Sequence, residues 1–170
     1  MSGIPVEFES FPSRADRIAY VARRYADRLH GRVLDVGCDE ATLRDLIPES
    51  DYTGGDMGGS PDIRLNLDLA ERLPFEDRQF DCVLAVDVLE HLEHLHRVFG
   101  ELVRVSRGRV ILSLPNNWAN ARRALQRGKG RIGHYGLPKE PPSDRHRWFF
   151  SFEEALEFLR AKERGGGLRI

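Results

Sequence analysis

Apolar positions between residues 13 and 114 alternate between a helical and an extended rhythm. Ser13 to Leu29 places Ile18, Val21, Ala22, Tyr25 and Leu29 at helical spacing, with Ser13 positioned as an N-cap. Arg32–Val36 is a short apolar run interrupted by Asp35, which reads as a buried parallel strand running into a tight turn at Gly37. Ala41–Ile47 reads as a short helix stopped by Pro48, and Tyr52–Asp56 as a second strand ending in an acid. A loop at Gly58-Gly59-Ser60-Pro61 leads to a third strand over Ile63–Leu67. Phe80–Val86 is the most apolar run and predicts a central, fully buried strand. Leu92, Leu95, Val98, Phe99, Leu102 and Val105 then share one helical face, Arg107-Gly108 breaks the pattern, and Arg109–Leu114 reads as a further strand.

Beyond Pro115 the rhythm changes. Trp118–Gln126 reads as a helix, and the Gly- and Pro-rich stretch from Gly128 to Pro142 as a loop. Ser151-Phe152-Glu153-Glu154 is a capping box that opens a last helix reaching about Lys162. The closing Gly165-Gly166-Gly167-Leu168-Arg169-Ile170 looks like the opening of a strand with no continuation. Strands alternating with helices predict an α/β fold, a doubly wound, mostly parallel Rossmann-like sheet with helices on both faces. The expected layout is one domain over residues 1–170. An N-terminal helix occupies 1–30, a ligand-binding core 31–116, a substrate-side insertion 117–150, and a last helix with an incipient strand 151–170. The C-terminal strand pair of such a sheet is expected to be missing or truncated. An unfinished edge invites pairing, so a homodimer through it is one expectation, and a fragment of a longer protein is another.

Composition narrows the partners. The 170 residues are 41% hydrophobic and 31% charged, with a net charge of −1, which offers no general attraction to nucleic acid or membranes. No apolar run approaches the ~20 residues of a membrane span, and Met1–Glu7 has no signal-peptide pattern, so the expected location is the cytoplasm. Cys38 and Cys82 both fall in strand or strand-end contexts and read as buried, reduced thiols; no metal-ligand set is read from the spacing.

The candidate chemistry sits at the carboxyl ends of the strands, where an open α/β sheet binds its ligand. Asp56 lies 19 residues after Gly37, the spacing at which an acid closing the second strand meets ribose hydroxyls. A dinucleotide turn would be G-x-G-x-x-G, but the second and third glycine places hold Asp39 and Thr42. A carboxylate there repels a pyrophosphate and tolerates a cofactor bearing a sulfonium and an amino group. This favours S-adenosylmethionine over NAD; the alternatives to an S-adenosylmethionine-dependent enzyme are an NAD-dependent oxidoreductase and a non-catalytic S-adenosylmethionine-binding or partner-binding module.

Val33-Leu34-Asp35-Val36-Gly37-Cys38-Asp39-Glu40-Ala41 resembles motif I of the class I S-adenosylmethionine-dependent methyltransferases, whose pattern is V-L-D-x-G-C-G-x-G. Tyr52-x-Gly54-x-Asp56, Asp68 with Leu73-Pro74-Phe75, Asp87-Val88-Leu89-Glu90-His91-Leu92 and Ser113-Leu114-Pro115-Asn116 resemble later segments of that family, in order. The resemblance implies S-adenosylmethionine as cofactor, leaving as S-adenosylhomocysteine. It places Gly37, Cys38 and Asp39 against the methionine part and Asp35 under the turn and the amino group. It gives Asp56 the ribose, Asp68 and Leu69 the adenine, and Asp87 and Val88 the methyl-donor end, with Met57 and His91 also in the cofactor-binding set. Asp39 and Ala41 stand where the family has glycines. Glu90 has two readings, a surface acid or part of this site; His94 and His96 read as exposed helix residues.

Methyl transfer from a sulfonium needs positioning above all, and a base only for a protonated acceptor. Candidate bases are His91 and, in the 117–150 segment, His134, Tyr135 and His146, with Asn116, Arg145 and Arg147 as acceptor contacts. From Asn117 to Phe150 there are eight Lys or Arg against two acids. That balance fits a small-molecule or glycan acceptor, phosphorylated in one version, since Arg suits bidentate phosphate contact; nucleic acid is not expected.

Overall fold

The computed structural model describes residues 9–118, 134–136, 139–142 and 144–165. Five parallel strands form one sheet in the order β3-β2-β1-β4-β5. They are β1 (Arg32–Val36), β2 (Asp51–Asp56), β3 (Ile63–Arg64), β4 (Cys82–Val86) and β5 (Val110–Ser113). The helices are α1 (Arg14–Arg24), α2 (Thr42–Leu46), α3 (Leu95–Val105) and α4 (Phe152–Arg164), with a single 3-10 turn at Leu89–His91. Strand order reverses between β1 and β4, which opens a crevice at their carboxyl ends.

The sheet is covered on both faces because side chains alternate along each strand. Val33 of β1 and Cys82, Leu84 and Val86 of β4 pack with Ile18, Val21 and Ala22 of α1 and Leu43 of α2. Leu34 and Val36, with Val83 and Ala85, pack instead under Val98, Phe99 and Leu102 of α3. Phe158 and Leu159 of α4 lie against this second cluster. Every residue of β4 is buried, as its unbroken apolar run requires. The Ser13 cap and the Ser151–Glu154 capping box both form. Cys38 and Cys82 are free and buried. Among the described residues, no helix is long and apolar enough to cross a membrane.

Three expected elements fall short of their apolar patterns by three residues or more. The third strand ends at Arg64 rather than Leu67, although Leu65 and Leu67 are buried. The Asn66 amide oxygen accepts from the backbone N–H of Asp68 and Leu69, a local turn that displaces the strand ladder. The helix expected from Leu92 begins at Leu95, because Leu92 is extended after the 3-10 turn. α1 ends at Arg24, yet Leu29 is still buried in the core it was expected to join. Most of the expected Trp118–Gln126 helix and the strand opening at Leu168 lie outside the described residues.

Candidate active site

The turn from β1 into α2 carries the first part of the site. Gly37 has φ +74°, and a Cβ there would lie 2.3 Å from Val88 Cγ2. Only glycine relieves both the backbone conformation and the contact. Asp39 and Ala41 also have positive φ, 51° and 53°. The two places where the family motif has glycine thus hold a backbone that favours glycine.

α1 lies across this turn. Arg14 Nη2 donates to the Gly37 carbonyl at 2.6 Å, and its other nitrogen is 3.8 Å from Asp39 Oδ2. A cavity of about 160 Å³ lies between them, lined by Arg14, Asp35, Gly37, Cys38, Asp39 and Glu40 among others. Asp35 is buried and accepts from the Tyr52 hydroxyl at 2.9 Å. Burial pushes its carboxyl up to about 6.

Asp56 closes β2 with its carboxylate already in use. Oδ2 accepts from the Asp39 N–H at 2.8 Å and Oδ1 from the Gly58 N–H at 3.0 Å. Each oxygen keeps a further lone pair for a ribose hydroxyl. Met57, beside it, is 64% exposed, and Leu69, beyond β3, is 80% exposed. Asp68 Oδ1 accepts from the backbone N–H groups of Glu93 and His94, so it anchors the entry to α3.

Asp87, at the end of β4, has φ 56°. Its N–H donates to Ser113 Oγ at 2.9 Å, the Ser113 hydroxyl donates back to Oδ1 at 2.6 Å, and Arg17 of α1 pairs with Oδ2. Val88 is buried against Gly37. The sequence reading missed Arg14 and Arg17. Their only signal is two arginines three apart at the start of an amphipathic helix, which by itself describes a solvated face.

The expected base candidates, 55 residues apart in the chain, come together. His91 Nδ1 is 3.1 Å from Asp144 Oδ1, and His134 Nδ1 is 2.9 Å from Asp144 Oδ2. The His146 ring stacks on His134 at 4.3 Å and meets His91 edge-on at 4.7 Å. Tyr135 lies edge-on to His146 at 5.4 Å, and its hydroxyl donates to the Trp148 carbonyl. Burial, with two neighbouring imidazoles, lowers His146 to about 4. Glu90 stands beside these histidines. It is 1% exposed, which settles its two readings against the surface one, and burial pushes its carboxyl up to about 7. His94 and His96 are exposed, as expected.

The two acceptor-side arginines lie in the segment that packs on the 3-10 turn. Arg147 donates from its backbone N–H to the Glu90 carbonyl at 2.8 Å and from Nε to the His91 carbonyl at 3.0 Å. Trp148 Nε1 donates to the Leu92 carbonyl at 2.7 Å. These bonds fasten the 144–150 segment onto the 3-10 turn. The Arg145 carbonyl is 3.3 Å from His91 Nδ1. Arg145 and Asn116 are exposed, while Asn117 is buried and donates to the Trp148 carbonyl. Of the expected basic stretch, Arg122, Arg123, Arg127, Lys129 and Arg131 lie outside the described residues.

Residues 12–161 match the family described as methyltransferase domain. The sterol 24-C-methyltransferase of Schizosaccharomyces pombe is 31% identical over 106 residues, 51% of this chain and 28% of that protein. The phthiotriol/phenolphthiotriol dimycocerosates methyltransferase of Mycobacterium tuberculosis is 32% identical over 121 residues, 61% of this chain and 44% of that protein. The chain thus spans less than half the length of these curated relatives. Magnesium protoporphyrin IX methyltransferase from Synechocystis, solved with bound S-adenosylhomocysteine, superimposes with a TM-score of 0.57 at 18% identity, covering 86% of this chain and 70% of that one.

Proposed function

The chain belongs to the class I S-adenosylmethionine-dependent methyltransferase family, and on that premise we propose that it methylates a hydroxyl of a small molecule with an apolar body. The cofactor is S-adenosylmethionine, which supplies a methyl group already activated on a sulfonium. The residues around the cavity fit it. Asp35, Asp39 and Glu40 form a carboxylate-rich lining that suits a cation and disfavours a pyrophosphate.

Asp56 would hold the ribose hydroxyls with the lone pairs its two backbone bonds leave over. The exposed Met57 and Leu69 would cover the adenine, with Asp68 near its amine. Gly37, Cys38 and Asp39 would border the methionine end, and Asp87 and Val88 the methyl end. His134, whose Nδ1 faces Asp144, would turn its other ring nitrogen to the proton of the acceptor hydroxyl.

The observation that carries the acceptor reading is an exposed aromatic surface beside the histidines. Trp118 is 53% exposed and meets Phe149 edge-on at 5.1 Å, and Tyr135 meets Phe149 at 5.2 Å. Such a surface suits an apolar body. The two curated relatives are named for sterol and phthiotriol substrates, which agrees with it. A second reading, an anionic glycan, rests on the basic excess of residues 117–150.

Two measurements test the proposal. S-adenosylhomocysteine at a hundredfold excess over its Kd should stabilise the fold by about 2.7 kcal/mol, and NAD should not; stabilisation by NAD alone would overturn the proposed cofactor contacts. Methyl-labelled cofactor incubated with lipid and nucleotide-glycan pools should send label into the organic phase. Label confined to water-soluble products supports the glycan reading instead.

A further inference from the structure

We propose that Glu90, His91 and His146 form a binding site for a divalent first-row transition-metal ion. Their ligand atoms all lie within 4.8 Å of one another. Two side-chain atoms of these residues are enclosed and have no hydrogen-bond partner among the described residues, Glu90 Oε2 and His146 Nδ1. An unpartnered buried polar atom is costly, and a buried carboxylate beside a buried imidazole would ordinarily be bonded. Glu90 is 1% and His146 9% exposed, so both atoms are closed off from bulk solvent. A cation held between them satisfies both atoms at once.

The surroundings have the form that a metal site needs. Asp144 faces Nδ1 of His91 and of His134. A carboxylate on one ring nitrogen fixes the tautomer and leaves the other nitrogen free for a metal. His134, Asp144 and His146 form a second donor group that shares His146, so further ligands stand beside the first three. The 3-10 turn sets Glu90 and His91, and the Arg147 bonds to the carbonyls of both hold His146 against them. About 1 Å of movement shared among three side chains brings the donors to the ~2.0–2.2 Å of metal bonds. Two imidazoles and one carboxylate select zinc, manganese, iron or cobalt over magnesium, which prefers an all-oxygen shell. Three protein ligands leave coordination open to an outside oxygen. The site stands whether or not the proposed acceptor is correct.

The test uses tag-free, chelator-treated protein titrated with Zn²⁺, Co²⁺ and Mg²⁺ by calorimetry. One Zn²⁺ per chain should bind with micromolar or tighter Kd, Co²⁺ should develop visible absorption, and Mg²⁺ should bind at least a hundredfold more weakly. Glu90→Gln and His146→Ala should each weaken Zn²⁺ at least tenfold, while His94→Ala should leave it unchanged. Histidine ring NMR on the unaltered chain keeps the test independent of how the variants fold. Zn²⁺ should shift the signals of His91 and His146 and leave those of His30 and His94 in place. Zn²⁺ affinity weaker than millimolar, or binding that leaves the His91 and His146 signals unmoved, would overturn the site.

Discussion

Asp39 and Ala41 hold left-handed backbone that an L-residue adopts at about 1 kcal/mol or more. The first is compensated by position. Its N–H reaches Asp56 and its carbonyl accepts from the Ser60 N–H at 2.8 Å, so the strained turn is bonded on both sides. Asp35, two residues before Gly37, is the buried acid of this turn, facing Tyr52, Arg14 and Asp56. In the unfolded chain its carboxyl titrates at the ordinary 3.8, in the fold at about 6. Between those values the folded protein keeps a proton that the unfolded chain has lost. Stability therefore falls as pH rises through that window, with the full penalty above it and none below. Asp35→Asn retains an acceptor for Tyr52 and removes the titration. The stability difference between wild type and this variant should shift by about 2 kcal/mol between pH 4.5 and 7.5, the wild type losing ground at the higher pH. Urea denaturation at the two pH values measures it, and a constant difference would show that Asp35 ionises without cost.

At the scale of elements, the segment between β3 and α3 is held from the side of α3. Asp68 receives the N–H groups of Glu93 and His94, and Arg97 donates to the carbonyls of Leu67, Asp68 and Ala70. Asp68→Ala should cost about 1–2 kcal/mol by leaving two backbone donors without their acceptor, and Asp68→Asn well under half of that. Comparing cofactor affinity in the Asn variant with thermal stability in the Ala variant separates an adenine contact from the helix anchor. These side-chain-to-backbone bonds are also why part of the fold was not legible in the chain. Periodicity reports which face is buried, and it correctly marked Leu65, Leu67 and Leu92 as core. It carries no sign that Asn66 would end β3 or that Asp68 would delay α3. The strands and the Gly37–Asp56 spacing were legible because a parallel sheet writes them as apolar runs ending in ligand-facing residues. The Glu90–His91–His146 group was not, because its members meet only when the 144–150 segment folds back onto the 3-10 turn. Glu90 in particular precedes a histidine and a helix, a context that describes a surface acid unless that segment covers it.

At the scale of the molecule, β1 and β4 each send alternate side chains to both cores. Cys82, Leu84 and Val86 belong to the α1–α2 face, Val83 and Ala85 to the face of α3 and α4. The site draws on both. Arg14 and Arg17 reach it from the first face, and Asp68 and the 3-10 turn from the side of the second. Residues so divided hold their geometry only if the faces unfold together. Leu84 is fully buried at the centre of the strand, and Leu84→Ala should remove about 3 kcal/mol, within the range for a large-to-small change in a core. That is a substantial part of the 5–15 kcal/mol typical of a domain. Trp148 reports from the opposite side, bonded to Leu92 and in edge contact with His96 at 5.9 Å. In this variant the tryptophan fluorescence transition should move to lower urea together with the far-ultraviolet circular dichroism transition, with an unchanged m-value. A fluorescence midpoint left in place while the dichroism midpoint falls would mean that the α3 face folds by itself. The crevice between the faces would then open without global unfolding.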